Sequence, residues 1–387
     1  MSLKGIYVHI PYCQRRCTYC DFATFELGVN KNGYLEPKDY VDLVCAEVQA
    51  RLPKWSGEEI TSIYFGGGTP SLVAPELISK ILTQIKSTGV VYSPQSTEIT
   101  LEINPETLSD ERLNAYKEFG VNRFSVGAQT FNAEVLKSIG RDHEPEQIVK
   151  TLSLLKKHNL NYTFDLLFAL PKQSLEMLEH DLNVIAEFLP NHISAYCLTV
   201  PTGHPLEQNR PLEDEQVEMF SLIETRLLKL GLEKYEISNF AKPGYESKHN
   251  LLYWLDEEYL GFGLSAHSHT HDDVYGRRFW NQKTFSGYKQ QMTTDPGFSG
   301  IPEAQVERLT FEEALTDFCH VSLRLSKGLD MDLLRYRFGP KADELVQIPL
   351  KKLIVSHHMV KNEQLFCLTS KGQLVSNQVF QEFLFSK

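Results

Sequence analysis

No apolar run in the sequence approaches the roughly 20 residues a membrane-spanning helix needs, so stable membrane insertion is not expected. The opening stretch MSLKGIYVHIPYC has no apolar h-region and no small-residue cleavage site, which points to a cytoplasmic protein. Positive charge is short as well. With 39 Lys and Arg against 50 Asp and Glu the net charge is −11, a balance that argues against nucleic acid as a partner. A GxGxxG fingerprint is missing after the first apolar run, which argues against a doubly wound dinucleotide-binding sheet. Cysteine is scarce, 7 in 387 residues, yet three of them fall in the eight positions CQRRCTYC, residues 13–20.

What is present is a rhythm. Short β-rich runs at 5–10, 61–66, 97–103, 122–128, 161–168 and 192–198 alternate with longer amphipathic stretches at 38–52, 75–87, 109–119, 145–158, 175–188 and 213–230. In the first of these Val41, Val44, Cys45 and Val48 repeat at helical spacing, and Leu77, Ile78, Ile81, Leu82 and Ile85 do so in the second. Six strand–helix units in succession predict a parallel sheet, because parallel strands need a crossover and the helix supplies it. A curved or closed α/β barrel is expected over residues 1–235. Residues 236–304 are rich in turn formers and aromatics and read as a barrel extension or lid. Residues 305–387 read as helices around a small hairpin, a winged-helix-like α+β module.

Cys13, Cys17 and Cys20 leave three chemical readings. Structural zinc takes four ligands, usually in paired elements, and no second pair is near. A Cys-x-x-Cys redox pair would leave Cys13 unused. Three thiolates on one loop would hold three corners of a [4Fe–4S] cube, leaving the fourth iron open to a small molecule. The scattered Cys45, Cys197, Cys319 and Cys367 read as small core residues.

C-x3-C-x2-C after a first barrel strand resembles the signature of the radical S-adenosylmethionine (SAM) superfamily, and the resemblance implies that the six units form that family's partial (β/α)6 TIM-type barrel. The resemblance implies a cluster on Cys13, Cys17 and Cys20, with SAM chelating the open iron and, on one-electron reduction, yielding a 5′-deoxyadenosyl radical. It implies SAM contacts from Gly67, Gly68 and Thr69 of FGGGTPS, from Glu102, Gln129, Arg141 and Asp165, and from Tyr7 and Tyr19. Carboxylates suit ribose hydroxyls, and a guanidinium suits the methionine carboxylate.

Over nearly the whole chain the sequence is similar to the haem chaperone HemW and oxygen-independent coproporphyrinogen III oxidase-like family. Two features favour the chaperone branch: Phe22 stands where the dehydrogenase branch has a fourth cysteine, and HNLLYW (249–254) matches an HNxxYW motif linked with haem. The resemblance thus implies haem as cargo, contacted by His249, Asn250, Tyr253 and Trp254. Imidazole ligates haem iron and aromatic faces stack on a porphyrin, although a packed core segment accounts for the same residues. Haem-acceptor proteins, an electron donor and a homodimer complete the implied partners. The alternative is an enzyme, a coproporphyrinogen III dehydrogenase of porphyrin biosynthesis that oxidatively decarboxylates propionates.

His267, His269 and His271 alternate in SAHSHTH, which would set all three on one strand face. A metal site is one reading, and a family element matching Ala266-His267-Ser268 is the other. The chain departs from the family at ALPKQ (169–173), where glycines are common at 169 and 172, at LSAHS, where PGAHS is common, and at PTGH (201–204).

Overall fold

The computed structural model describes residues 3–29, 33–271, 273–297 and 302–385. Six parallel strands run in sequence order across the centre of a twelve-stranded sheet: β1 (Lys4–Ile10), β2 (Ser62–Gly67), β3 (Glu98–Ile103), β4 (Arg123–Gln129), β5 (Asn161–Phe168) and β6 (His192–Cys197). Between them lie α1 (Pro37–Arg51), α2 (Pro75–Ser87), α3 (Asp110–Glu118), α4 (Pro145–Lys157) and α5 (Leu175–Phe188), and α6 (Glu213–Lys229) follows β6. The helices form where the apolar stripe demands it: Ile78, Ile81, Leu82 and Ile85 of α2 are all buried against the sheet. Pro at the first helical turn starts α1, α2 and α4, where its missing N–H costs nothing. The sheet does not close, and the architecture is a partial (β/α)6 TIM-type barrel.

Residues 236–304 extend the sheet rather than cover the site as a lid. On the β6 side, β7 (Glu233–Glu236) and β8 (Asn239–Ala241) add antiparallel strands. On the β1 side, β9 (Glu258–Phe262) pairs in parallel with β1 and is followed by antiparallel β10 (His267–Thr270), β11 (Arg277–Trp280) and β12 (Val306–Arg308). The free edge of β1 accepts a seventh parallel strand, so this segment was recruited for hydrogen bonding, not for covering the mouth. Between β8 and β9, α7 (Lys248–Trp254) lies against the N-terminal ends of the central strands. There the Glu98 carboxylate accepts the backbone N–H groups of Lys248 and His249, both at 3.2 Å, as an anion at a helix N-terminus should.

The main core runs from Ile6 to Val306, and a second, separate core joins Leu315 to Phe383. The second belongs to a winged-helix-like module: α8 (Phe311–Arg324), β13 (Leu329–Asp330), α9 (Met331–Phe338), α10 (Pro340–Val355), then the hairpin of β14 (Met359–Asn362) and β15 (Leu365–Leu368), with β15 central in the small sheet. No helix among the described residues is long and apolar enough to cross a membrane.

Candidate functional site

Parallel strands aim their C-terminal ends at one mouth, and a cavity of about 560 Å³ opens there. That volume is in the range of small-molecule sites, roughly 300–1,000 Å³. Cys13, Cys17 and Cys20 stand on its wall, on the loop after β1. The loop is pinned at both ends: Tyr12–Cys13 pairs with Phe25–Glu26, and Leu27 N donates to Cys13 O at 2.9 Å. Beneath it His9 is buried, with Nε2 3.0 Å from Ala23 O and Nδ1 3.0 Å from Tyr7 Oη. Burial lowers the His9 pKa to about 4, so the ring is neutral and accepts the Tyr7 hydroxyl while donating to Ala23.

The sulfurs have donors nearby. Arg141 Nη1 is 3.5 Å from Cys17 Sγ, and Thr69 Oγ1 is 3.9 Å from Cys13 Sγ. Burial, ahead of all other causes, raises the Cys13 thiol to about 11. A soft metal would therefore displace a proton there on binding. Gly67 and Gly68 line the cavity, but protein neighbours already demand glycine at both: a Cβ at Gly67 would meet the His9 ring at 2.5 Å, and one at Gly68 would meet Tyr12 O at 2.6 Å.

Deeper in, Glu102 accepts Tyr64 Oη at 2.8 Å and Gly67 N at 3.1 Å. Its pKa is raised to about 7, chiefly by burial and further by Asp165, against the Tyr64 and Gly67 hydrogen bonds. Burial likewise raises Asp165 to about 6, opposed by Ser194, Arg123 and Ser125. Gln129 Oε1, Asn104 Oδ1 and Arg141 Nε are buried without a hydrogen-bond partner. Orphaned polar atoms around a cavity mark a place for a polar ligand. Three soft thiols at the mouth, with two unpaired amide oxygens, an unpaired guanidinium Nε and two carboxyls within, fit a thiolate-held cluster and a polar, charged cofactor such as SAM.

Of the residues singled out in the sequence, Cys13, Cys17, Cys20, Tyr19, Gly67, Gly68, Thr69, Glu102, Gln129, Arg141, Asp165 and Asn250 line this one cavity. Tyr7, His249, Tyr253 and Trp254 do not. His249 is 2 % exposed, with Nδ1 2.8 Å from Ser62 Oγ and Nε2 2.9 Å from Tyr253 Oη. Its ring stacks 5.0 Å from Tyr64, and burial lowers its pKa to about 3. The motif is thus a floor under the half-barrel, and only Asn250 reaches the cavity. Trp254 instead lies under the Arg324 guanidinium, 4.4 Å from ring centroid to Cζ.

Three of the scattered cysteines are buried, but Cys197 is exposed and lines the cavity, contrary to its reading as core. The end of β6 is a strand terminus at the mouth, where burial stops. Sequence reasoning also missed Tyr64, Arg123, Ser125, Thr163, Ser194 and Tyr196 on the wall. A signal existed. Parallel strands covered on both faces should be apolar throughout, whereas β4, β5 and β6 place Arg123 and Ser125, Thr163 and Asp165, and Ser194 and Tyr196 two residues apart.

Residues 7–185 match the model of the Radical SAM superfamily. A Bacillus subtilis protein named "Heme chaperone HemW" is 32% identical over 99% of this chain and 99% of its own length. An Escherichia coli protein of the same name is 30% identical over 98% of both. Among solved structures, coproporphyrinogen III oxidase (HemN) from Escherichia coli, a radical SAM enzyme, superposes with a TM-score of 0.83 at 22% identity, over 99% of this chain and 90% of that one.

Proposed function

The chain belongs to the HemW family of radical SAM proteins, and from that membership we propose that it binds haem and delivers it to acceptor proteins. Cys13, Cys17 and Cys20 would hold a [4Fe–4S] cluster, and the cavity they line would take SAM. When bound, the cluster supplies one-electron reducing power and an iron open to SAM. The protein's part is positional. Arg141 offers a charge-assisted donor to Cys17 and keeps Nε for a ligand oxygen, while Gln129 and Glu102 present acceptors from the ends of β4 and β3. An electron donor and a homodimer belong to this reading, as do cytoplasmic location and the absence of nucleic-acid partners.

The observation that carries the choice of chaperone over dehydrogenase is Phe22. It stands on the cavity's rim just after Cys20, 67% exposed, where the dehydrogenase branch would place a fourth thiol. An exposed aromatic beside the cluster is an apolar face a porphyrin can use. His249 could ligate iron only by giving up Ser62 or Tyr253, so we assign it to the floor that presents Asn250.

Anaerobic reconstitution tests this reading. The protein should acquire four irons, lose them when the three cysteines become serine, retain stoichiometric haem and pass it to an apo-acceptor. The His249→Ala variant should keep its haem affinity within about twofold, whereas a tenfold loss in a folded protein would return His249 to the iron. Formation of protoporphyrinogen IX from coproporphyrinogen III with reduced cluster and SAM would overturn the chaperone reading.

A further inference from the structure

Away from the cavity, at the other side of the sheet, three potential ligands converge. Asp256 follows α7, His269 lies on β10 and His271 comes just after it. His269 Nε2 is 3.1 Å from His271 Nε2 and 3.3 Å from Asp256 Oδ1, and His271 Nε2 is 3.8 Å from Asp256 Oδ2. The ligand atoms of all three lie within 4.8 Å of one another. A tetrahedral zinc with bonds of about 2.0–2.1 Å holds neighbouring ligand atoms about 3.3–3.4 Å apart. Two of the sides, 3.1 and 3.3 Å, already have that length, and the third is 3.8 Å measured to Asp256 Oδ2. His267 is not part of it: that ring is exposed and lies 5.5 Å from Trp280.

The surroundings suit a cation. Asp256, Glu257 and Glu258 bring three carboxylates, against which stand Arg337, paired with Asp256 Oδ2 at 2.6 Å, and Lys4, paired with Glu258 at 2.7 Å. Arg337 uses Oδ2 and leaves Oδ1 facing His269, the division a metal-bound carboxylate with an outer hydrogen bond requires. His269 is buried while His271 is exposed, which gives an ion a way in.

We infer that Asp256, His269 and His271 form a zinc site, with water as fourth ligand, that fastens the edge of the barrel to the C-terminal module through Arg337. The two imidazoles now share one proton between their Nε2 atoms. On binding, that ring proton moves to Nδ1 of its own ring, so both neutral rings offer Nε2 lone pairs and no redox change is involved. The inference is independent of the haem reading, because none of the three residues lines the cavity.

The test is calorimetric titration of the cluster-loaded protein with zinc chloride alone, so that the three thiols are already occupied. One zinc should bind with micromolar or tighter affinity, with a zinc-dependent rise in Tm. His267→Ala should bind as wild type does, and His271→Ala should bind at least tenfold more weakly. His271 is exposed and its loss should not unfold the chain; cluster retention checks this. His269→Ala and Asp256→Asn should follow His271→Ala. No uptake by wild type, or uptake equal in His271→Ala, overturns the site.

Discussion

Glu102 and Asp165 share the interior of the half-barrel, and burial holds both above the usual carboxylate range, at about 7 and about 6. For Glu102 the sign follows from linkage. Unfolded, it ionises near its model value of 4.5, and folded near 7, so between those values the folded state holds the extra proton. Its stabilising effect is full below about 4.5 and is lost as pH rises through about 7. Glu102→Gln keeps an acceptor for Tyr64 Oη and gives up the ionisation. We expect ligand-free Glu102→Gln to melt a few degrees above wild type at pH 8 and to lose that advantage at pH 4.5; equal melting at both pH values would show that Glu102 is not held protonated by burial. This carboxyl was legible in the sequence through the family resemblance that LEINPETL carries. The Ser62 partner of His249 was not, since it is 187 residues away and only the folded sheet joins them.

The six central strands and their helices were legible as elements because each carries one unbroken period, two or 3.6, bounded by turn formers. The short edge strands β7 to β12 were not: at three to five residues they carry no period, and their partners are chosen by the free edges of a sheet already formed. The family departures are instructive at this scale. Ala169, Lys172 and Ser265 stand where the family pattern noted above commonly carries glycine, and all three keep left-handed backbone, with φ of 57°, 63° and 57°. The turns after β5 and β9 are therefore imposed by the fold and borne by residues that resist them. Lys172 is exposed, and only its backbone N–H is engaged, donating to Asn209 O at 2.7 Å. Relief of an L-residue in this region is worth about 1–2 kcal/mol, from which glycine's own chain entropy takes about 0.5–1. Lys172→Gly should thus raise unfolding stability by about 0.5–1 kcal/mol in urea titration, and a fall would mean that the Lys side chain does more than its exposure implies.

An open barrel leaves its edges unsatisfied, and the C-terminal module closes one of them. Leu325 bridges to Glu236 of the edge strand β7, Ser326 N donates to Tyr235 O at 2.9 Å, and Ser326 Oγ donates to Lys234 O at 2.7 Å. At this seam Glu236 is fully buried, accepting Ser238 N at 2.7 Å and Asn239 Nδ2 at 2.5 Å, with Arg324 Nη2 at 3.0 Å as its counter-charge. The same guanidinium covers Trp254, so one side chain joins the module, the sheet edge and the floor helix. The winged-helix-like module is accordingly part of the barrel's construction, and its fold does not by itself establish nucleic-acid binding. Removing the cation strands a buried carboxylate, a change worth roughly 3–5 kcal/mol when both partners are fully buried and somewhat less here, because Arg324 is partly exposed. Arg324→Ala should therefore lose about 2–4 kcal/mol of stability. Amide hydrogen exchange at Lys234–Glu236 should accelerate with it, while Arg324→Lys should recover the charge term but not the cover over Trp254. The cluster loop lies at the opposite end of the strands, so iron uptake by the folded variant should be unchanged. If β7 exchanged no faster in Arg324→Ala than in wild type, the edge would be held by the backbone contacts of Leu325 and Ser326 alone, and the ion pair would be incidental to docking.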